Sequence, residues 1–345
     1  MEIWVLGALG RTGRGITAGL VAKGLPVVLV GRNRERLAAT GSKFVVADGV
    51  EAIAAEIRQQ RPSVVVNTIG EYAATAATIA RACLPGGHYV DLAADLVAVP
   101  RLLDLHEEAL AGGGTFVTGA GFGVLATESV VAKLCDGRAT PSAVRVDAVA
   151  SVAIEAGTLG VALAASIVDA LTTGGREYRD GRLVPSRLGA NAQTLAFPDG
   201  ETAKSASVPS GELVAAQRVS GAPSVTLTSG LAPTSAAVRA VLPLLGKVLS
   251  VPALRRFAVR RLAGVQAKAA PRPRAHSWGH AVVTWPDGTT REGWLRAGEG
   301  MDFTTAVVAE VAARLARGEG KPGAHTPASA LGPDVAEAAG GTFLL

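Results

Sequence analysis

The sequence predicts an α/β protein: a doubly wound parallel sheet, followed by a second α+β domain on a mixed or antiparallel sheet. Three observations carry this. Over the first third, short β-branched runs alternate with Ala-rich helical stretches, the pattern of a parallel sheet covered on both faces. A glycine-punctuated turn directly follows the first run. From about residue 143 the pattern changes to Val, Ser and Thr runs broken by Pro and Gly, which suits antiparallel or mixed pairing. A chain of 345 residues has room for about two domains.

The elements follow in order. Strands are expected at Ile3–Leu6, Pro26–Val30, Lys43–Val46, Ser63–Asn67, His88–Asp91 and Thr115–Thr118. Helices are expected near 11–23, 33–40, 50–60, 71–83 and 98–111. Right-handed crossovers between such strands give the Rossmann arrangement. Beyond it, runs at Ala143–Ile154, Ser205–Val208, Ala215–Val219, Ser224–Thr228 and Ala281–Trp285 read as strands, the last turning at Pro286–Gly288 into a return strand. Helices are expected over 157–172, 235–249 and 303–317.

The first turn reads Gly7-Ala8-Leu9-Gly10-Arg11-Thr12-Gly13. A pyrophosphate needs bare backbone here and a helix start beyond, whose free N–H groups and dipole favour anions. The spacing is GxxGxxG rather than GxGxxG, but strand before, helix after and first place in the fold favour dinucleotide binding over a merely structural turn. The second strand then runs into Gly31-Arg32-Asn33-Arg34 with no acid at its tip. NAD-specific folds place Asp or Glu there for the ribose 2′-OH; a guanidinium at Arg32 instead pairs with a 2′-phosphate. NADP(H) is therefore the expected cofactor, with Asn33 beside it. Cations at the start of a helix are also unfavourable unless an anion sits there. After the fourth strand, Asn67-Thr68-Ile69-Gly70-Glu71-Tyr72 should face the nicotinamide ribose, with Thr68 and Gly70 as contacts. Tyr72 is a candidate proton donor or else covers the apolar face of the next helix. A Tyr-x-x-x-Lys pair is excluded, because Tyr72, Tyr89 and Tyr178 are followed at that spacing by Ala76, Ala93 and Arg182.

Composition narrows the classes. Apolar residues at 48% allow a sizeable core, and charged residues at 18% exclude a disordered chain. Aromatics at 4% argue against base-stacking platforms, so nucleic acid is not an expected partner. The uncharged run Ala156–Val168 is shorter than the roughly 20 residues of a membrane span. The N-terminus lacks a basic region and breaks at glycines, reading as a first strand rather than a signal peptide. Two cysteines, Cys83 and Cys135, are too few for a disulfide framework or a zinc site, which fits a reducing cytoplasm. His276 and His280 are four apart on a segment that reads as extended, without an accompanying Glu, so no metal is expected. The net charge is +5, and the densest basic run is Leu254–Leu262 with Lys268, Arg272 and Arg274 beyond. It reads as a solvated helix, or as a dock for an acidic partner such as an acyl carrier protein or a CoA-type phosphate.

The motifs together resemble the saccharopine dehydrogenase-like reductases, including their trans-acting enoyl reductase branch. The likeness starts at GALGRTGRGITAGLVAKGLPVVLVGRNRERL and VVVNTIGEY. It continues through GGHYVDLAAD, AGFGVLATE and EAGTLGVALAASIVDAL, and ends at GAHTPASALGPDVAEAAGG. It implies an NADP-binding Rossmann domain over 1–125, a substrate domain over 126–320, and a segment 321–345 packing back on the first. Gly7, Gly10, Arg11, Thr12 and Gly13 match the family's phosphate turn, Arg32 its NADP-selective position, and Asn67 and Gly70 its turn after strand four. Asp91 matches the end of strand five, and Thr158 the family's Gly-Thr step, where it caps the helix or touches substrate. Glu71 replaces a proline, and Gly121-Phe122-Gly123-Val124-Leu125-Ala126 departs from Gly-Phe-Asp-Ser-x-Pro. The expected activity is NADPH-dependent hydride transfer to a C=N bond of a fairly apolar small molecule in specialised metabolism, with Tyr72, Asp91 or Thr158 as polar partners. The alternatives are an enoyl C=C reductase on a carrier- or CoA-linked substrate, and a non-redox protein that keeps NADP(H) as a structural or sensing ligand. A homodimer is compatible with all three.

Overall fold

The computed structural model describes residues 2–345. The chain divides into two compact units: one holds the chain up to Leu125 together with Met301–Gly341, the other Ala126–Gly300 with Thr342–Leu345. The sequence reading ends the second domain at residue 320. The structure corrects this: helix Gly300–Ala316 belongs, from Met301, to the first unit, and the last four residues belong to the second.

The first unit is a parallel sheet of seven strands. Six come in chain order: β1 (Ile3–Leu6), β2 (Val27–Gly31), β3 (Phe44–Val46), β4 (Val64–Asn67), β5 (His88–Asp91) and β6 (Thr115–Val117). The seventh, Gly323–His325, pairs with β6 in parallel register. Across the sheet the order is β3-β2-β1-β4-β5-β6 and then that last strand, so the winding direction reverses between β1 and β4. Helices α1 (Arg11–Ala22), α2 (Arg34–Ala38), α3 (Val50–Gln60) and α4 (Tyr72–Ala82) make the crossovers. The expected helix over 98–111 is divided into Ala98–Leu103 and His106–Ala111. Every residue of β1 and β4 is buried, as continuous apolar strands of a sheet covered on both faces must be.

Helix Gly300–Ala316 packs on α1, and glycine sets the approach. A Cβ on Gly15 would stand 2.8 Å from Thr305 Cγ2, and one on Gly19 would stand 3.1 Å from Ala309 Cβ. Lys23 donates to Glu310 at 2.7 Å across the same seam.

The second unit is built on a mixed sheet. Its spine runs Arg182–Ser186, Gly175–Arg179, Ser224–Ser229, Ala143–Val149, Ser277–Thr284, Thr290–Ala297 and Thr342–Leu344, with the hairpin Gln193–Ala196/Thr202–Ser207 joined at Ser224–Ser229. Ser224–Ser229 and Ala143–Val149 run parallel; the spine's other pairings are antiparallel. Three helices, Val161–Thr173, Ala236–Leu249 and Pro252–Ala263, pack against one another.

Three expectations are corrected here. Ala215–Val219 is not a strand but part of helix Glu212–Ser220, whose Ala-rich stretch is buried in the helical state. The first strand of this unit ends at Val149, and Ile154 makes only an isolated bridge to Ala270. The helix expected from 157 starts at Val161, with Gly160 as its N-cap. Thr158 therefore does not cap it; it sits exposed in the short strand Gly157–Thr158, opposite Gln266.

Candidate functional site

The site is built where β1 and β4 part. In an open α/β sheet ligands bind outside the carboxyl ends of the strands, at the point where the order reverses. The β1–α1 turn stands there. Gly7 has φ +72° and its N–H donates to Val30 O at 3.0 Å; at that φ a side chain is strained. Gly10 N–H donates to Gly7 O at 2.9 Å and closes the turn. Gly13 is the tightest position: a Cβ would stand 2.5 Å from Gly7 O and 2.8 Å from Ala8 Cα. At Gly10, by contrast, a Cβ would meet only Gly7 O, at 3.2 Å, and is otherwise in open space.

That contrast tests the fit to a diphosphate. Gly7 and Gly13 are required by the fold itself, whereas the space over Gly10 is free for a ligand. Gly10 and Arg11 are exposed, and Thr12 is partly so. The first turn of α1 carries no acidic side chain, so nothing opposes an anion at its positive end. The residues fit the group.

The next strand carries the selectivity position. Arg32 lies just past β2, is exposed, and has no ion pair or hydrogen bond among the described residues. Asn33 is committed locally: its side chain accepts from Arg36 N at 2.9 Å and caps α2, an ordinary N-cap use of Asn.

The β4–α4 turn faces the same crevice. Thr68 donates to Leu6 O at 2.7 Å, and its hydroxyl would lie 2.9 Å from a Cβ on Gly7. The two turns are therefore in contact through this threonine. Gly70 and Glu71 have φ +78° and +47°, and Thr75 donates to Gly70 O at 3.0 Å to hold the bend.

Below this surface lies a buried polar network that ties three strand ends together. Asn67 and Asp91 stand in register on β4 and β5, and both are fully buried. Asn67 Nδ2 donates to Tyr89 Oη at 2.9 Å, and Tyr89 Oη donates to Asp91 Oδ2 at 3.0 Å. Asp91 Oδ1 accepts from Ala93 N at 3.0 Å, Thr118 Oγ1 at 2.8 Å and Gly119 N at 3.3 Å. Asp91 thus has protein donors on both oxygens. Burial pushes its carboxyl up to about 6, against the pull of those donors. Tyr72 is partly buried at the start of α4. Burial first, and the Asp91 carboxylate second, push its phenol well above the ordinary value.

The structure therefore places Gly7, Gly10, Arg11, Thr12, Gly13, Thr68 and Gly70 around one crevice of the first unit, with Arg32 and Asn33 at the end of β2; Asn67, expected as a cofactor contact, lies beneath it, fully buried and bonded to Tyr89 and to the Ile69 amide. The Asp91 carboxylate helps to raise the Tyr72 phenol. Thr158 belongs to the second unit. Tyr89 and Thr118 were not singled out from sequence; the signal available was the polar residue ending each of two adjacent apolar strands. Among the described residues, no group of three or more His, Cys, Asp or Glu is placed to hold a metal ion.

A second buried network joins strands Ala143–Val149, Ser277–Thr284 and Thr290–Ala297. In the second unit His280 Nδ1 meets Asp147 Oδ2 at 2.7 Å and Nε2 meets Glu292 Oε1 at 2.9 Å. Asp147, fully buried, also accepts from Arg145, Thr228 and Gln193. Burial alone would raise this carboxyl, but the donors outweigh it and hold it below the usual range. Trp294 stacks on His280 with centroids 3.7 Å apart.

No protein-family model matches the sequence, and no curated protein does. Among solved structures, the chain is similar to apo saccharopine dehydrogenase (L-Glu forming) from Saccharomyces cerevisiae. The TM-score is 0.59 at 12% identity, over 100% of both chains. A probable dehydrogenase from Thermotoga maritima aligns with TM-score 0.44 at 10% identity, over 98% of this chain and 94% of that one. Serine dehydrogenase from Escherichia coli aligns over 34% of this chain and 81% of its own, with TM-score 0.29 and 17% identity. The likeness to the yeast enzyme establishes the fold: a Rossmann sheet with a second, mixed-sheet domain.

Proposed function

We propose that the chain is an NADP(H)-dependent oxidoreductase that reduces the C=N bond of an imine or iminium on a fairly apolar small molecule. The carrying observation is the pairing of the thin Gly7–Gly13 turn with an exposed, unpaired Arg32 at the end of β2. The turn and the first amides of α1 hold the diphosphate. Arg32 grips the 2′-phosphate, as a guanidinium does bidentately. Asn33 helps through its cap on α2, which fixes the loop that presents Arg32. Thr68 and Gly70 line the approach to the nicotinamide ribose. The yeast protein with this fold is a saccharopine dehydrogenase, and dehydrogenase chemistry is what we carry over.

The bound cofactor supplies the hydride. Everything else falls to orientation and exclusion of water, and well-aligned reactants gain about 7–11 kcal/mol over free encounter. Asp91 acts as a positioning residue, because its oxygens are already engaged. Tyr72 stays neutral through the physiological range and offers a phenol, not a strong acid. A site so poor in free acid suits an acceptor that brings its own positive charge, and this favours C=N. The second unit, rich in Ala, Val, Leu, Ser and Thr outside 255–274, suits an apolar substrate.

The test is cofactor oxidation with cyclic imines, enoyl thioesters and ketones, using NADPH and NADH in parallel, on wild type and Arg32→Glu. Imine turnover with NADPH preferred, and that preference lost in Arg32→Glu, is expected. Turnover confined to enoyl thioesters would replace the C=N reading. Unchanged cofactor preference in the variant would overturn the role of Arg32, and binding without turnover on all three would leave a sensing protein.

A further inference from the structure

The helices Ala236–Leu249 and Pro252–Ala263 of the second unit present an apolar stripe that the described residues leave largely uncovered, the Arg261 guanidinium standing 5.4 Å from the Phe257 ring centroid. On the first, Val238, Val241, Leu244, Leu245 and Val248 are exposed, Leu244 by 67%. Their spacing puts them on one face, while Leu242 and Leu249 on the neighbouring face are buried. The helix is apolar both inward and outward, which a helix facing water ordinarily is not. Every residue of the second helix is at least partly exposed, including Leu254 and Phe257, the latter by 59%. Leu231, just ahead of the pair, is 82% exposed. A contiguous outward apolar surface of this kind marks an interaction site.

Charge identifies the partner. Residues 231–275 contain nine Lys and Arg and no Asp or Glu. The chain totals +5, so the remainder is net negative and the basic balance resides here. Arg255 is held by Asp169 at 2.6 Å, which pins this helix to Val161–Thr173, and Arg239 donates to Gly189 O. Lys247, Arg256, Arg260, Lys268 and Arg272 are exposed and have no hydrogen bond or ion pair among the described residues.

We propose that this helical pair docks the protein on an anionic lipid bilayer, lying in the headgroup region with its stripe in the acyl boundary. Amphipathic helices with Lys and Arg beside branched aliphatic residues bind bilayers in this way. The geometry opposes crossing. No single helix among the described residues is long and apolar enough to span. The two helices together pass by length and composition, but they meet at 118°. Four arginines on the second helix would be costly in hydrocarbon. A second copy of the chain is disfavoured, because a two-fold interface would set one basic surface against another. An acidic protein is disfavoured by the stripe itself: Val and Leu, with Phe257 the single aromatic, where protein interfaces concentrate aromatics and Met.

The experiment is co-sedimentation of the full chain with vesicles of phosphatidylcholine alone and with vesicles carrying roughly one-third phosphatidylglycerol. Binding to the anionic vesicles only, weakening as salt rises, is expected. Each basic group near the surface contributes about fivefold, so Arg256→Ala with Arg260→Ala should weaken binding roughly thirtyfold. Leu244→Glu should abolish it. Both variants should keep the wild-type thermal melt, since these side chains are exposed. Equal binding to neutral vesicles, no binding by wild type, or full binding by Leu244→Glu would overturn the proposal. So would a dimer in solution, or a complex with an acidic carrier protein, that needs Leu244 while vesicles are ignored.

Discussion

Gly10 and Gly13 sit three residues apart in one turn and answer to different constraints. At Gly13 a methyl group would overlap Gly7 O at 2.5 Å, so Gly13→Ala must move the turn against the helix. We expect a stability loss of about 1–3 kcal/mol, the usual range for overpacking, seen as a lower denaturant midpoint. Gly10→Ala puts its Cβ 3.2 Å from Gly7 O and replaces the N-cap glycine of α1, so it should lower the midpoint by less than Gly13→Ala does. Its methyl would occupy ligand space, so dinucleotide titration should show weakened binding. If Gly10→Ala binds as wild type, the diphosphate is not held over that residue. Asp91 gives a second handle. Its folded pKa is about 6, raised from an ordinary 3.8. Between those values the folded chain holds a proton that the unfolded chain has released. This group therefore makes stability fall as pH rises from about 4 to about 6. Asp91→Asn keeps a carbonyl for Ala93, Thr118 and Gly119 and removes the titration. From about pH 4.5 to about pH 7 the urea midpoint should fall more in wild type than in the variant, where buried Glu212, also raised by burial, still contributes; equal slopes would mean Asp91 does not carry it.

Strands β1 to β6 and helices α1 to α4 of the first unit were legible because apolar runs and Ala-rich stretches alternate there in chain order. The strand Ile3–Leu6 is apolar at every position and is flanked at once by Gly7. The second unit defeated the same reading in particular places. Gly175–Arg179 and Arg182–Ser186 are partly exposed strands carrying Arg176, Glu177, Arg179 and Arg182, so no apolar alternation announces them. Helix Phe122–Cys135 is buried on most sides and lacks the one-sided stripe by which helices are recognised. Of the site, the glycine turn and Arg32 were readable from local chemistry. Tyr89 and Thr118 were not, because their importance lies in pairings between strands far apart in sequence. The network around Asp147 and His280 is of the same kind and makes an element-level prediction. His280→Leu leaves Asp147 buried with Arg145, Thr228 and Gln193 still donating. The loss should therefore be that of a hydrogen bond to a charged group, about 1.5–3 kcal/mol, measured by denaturant unfolding. A change below about 0.5 kcal/mol would mean the imidazole is not holding the sheet face together.

For the molecule as a whole, the return of the chain to the first unit at Met301 is structural. Val307, Val308, Val311, Ala312 and Leu315 of helix Gly300–Ala316 are fully buried, and strand Gly323–His325 covers the edge of β6. A chain stopped before Met301 should strip α1 of its cover and expose that edge, so we expect an insoluble product or one without a cooperative thermal transition. A soluble fragment with a sharp melt and normal dinucleotide affinity would show that the first 125 residues suffice. The same connectivity bears on inheritance. Because the backbone passes between units after Leu125, Gly300 and Gly341, no single genetic crossover can graft one unit onto a foreign partner. Exchange of the second unit instead takes two junctions, near residues 125 and 300, as for a domain inserted into a host fold.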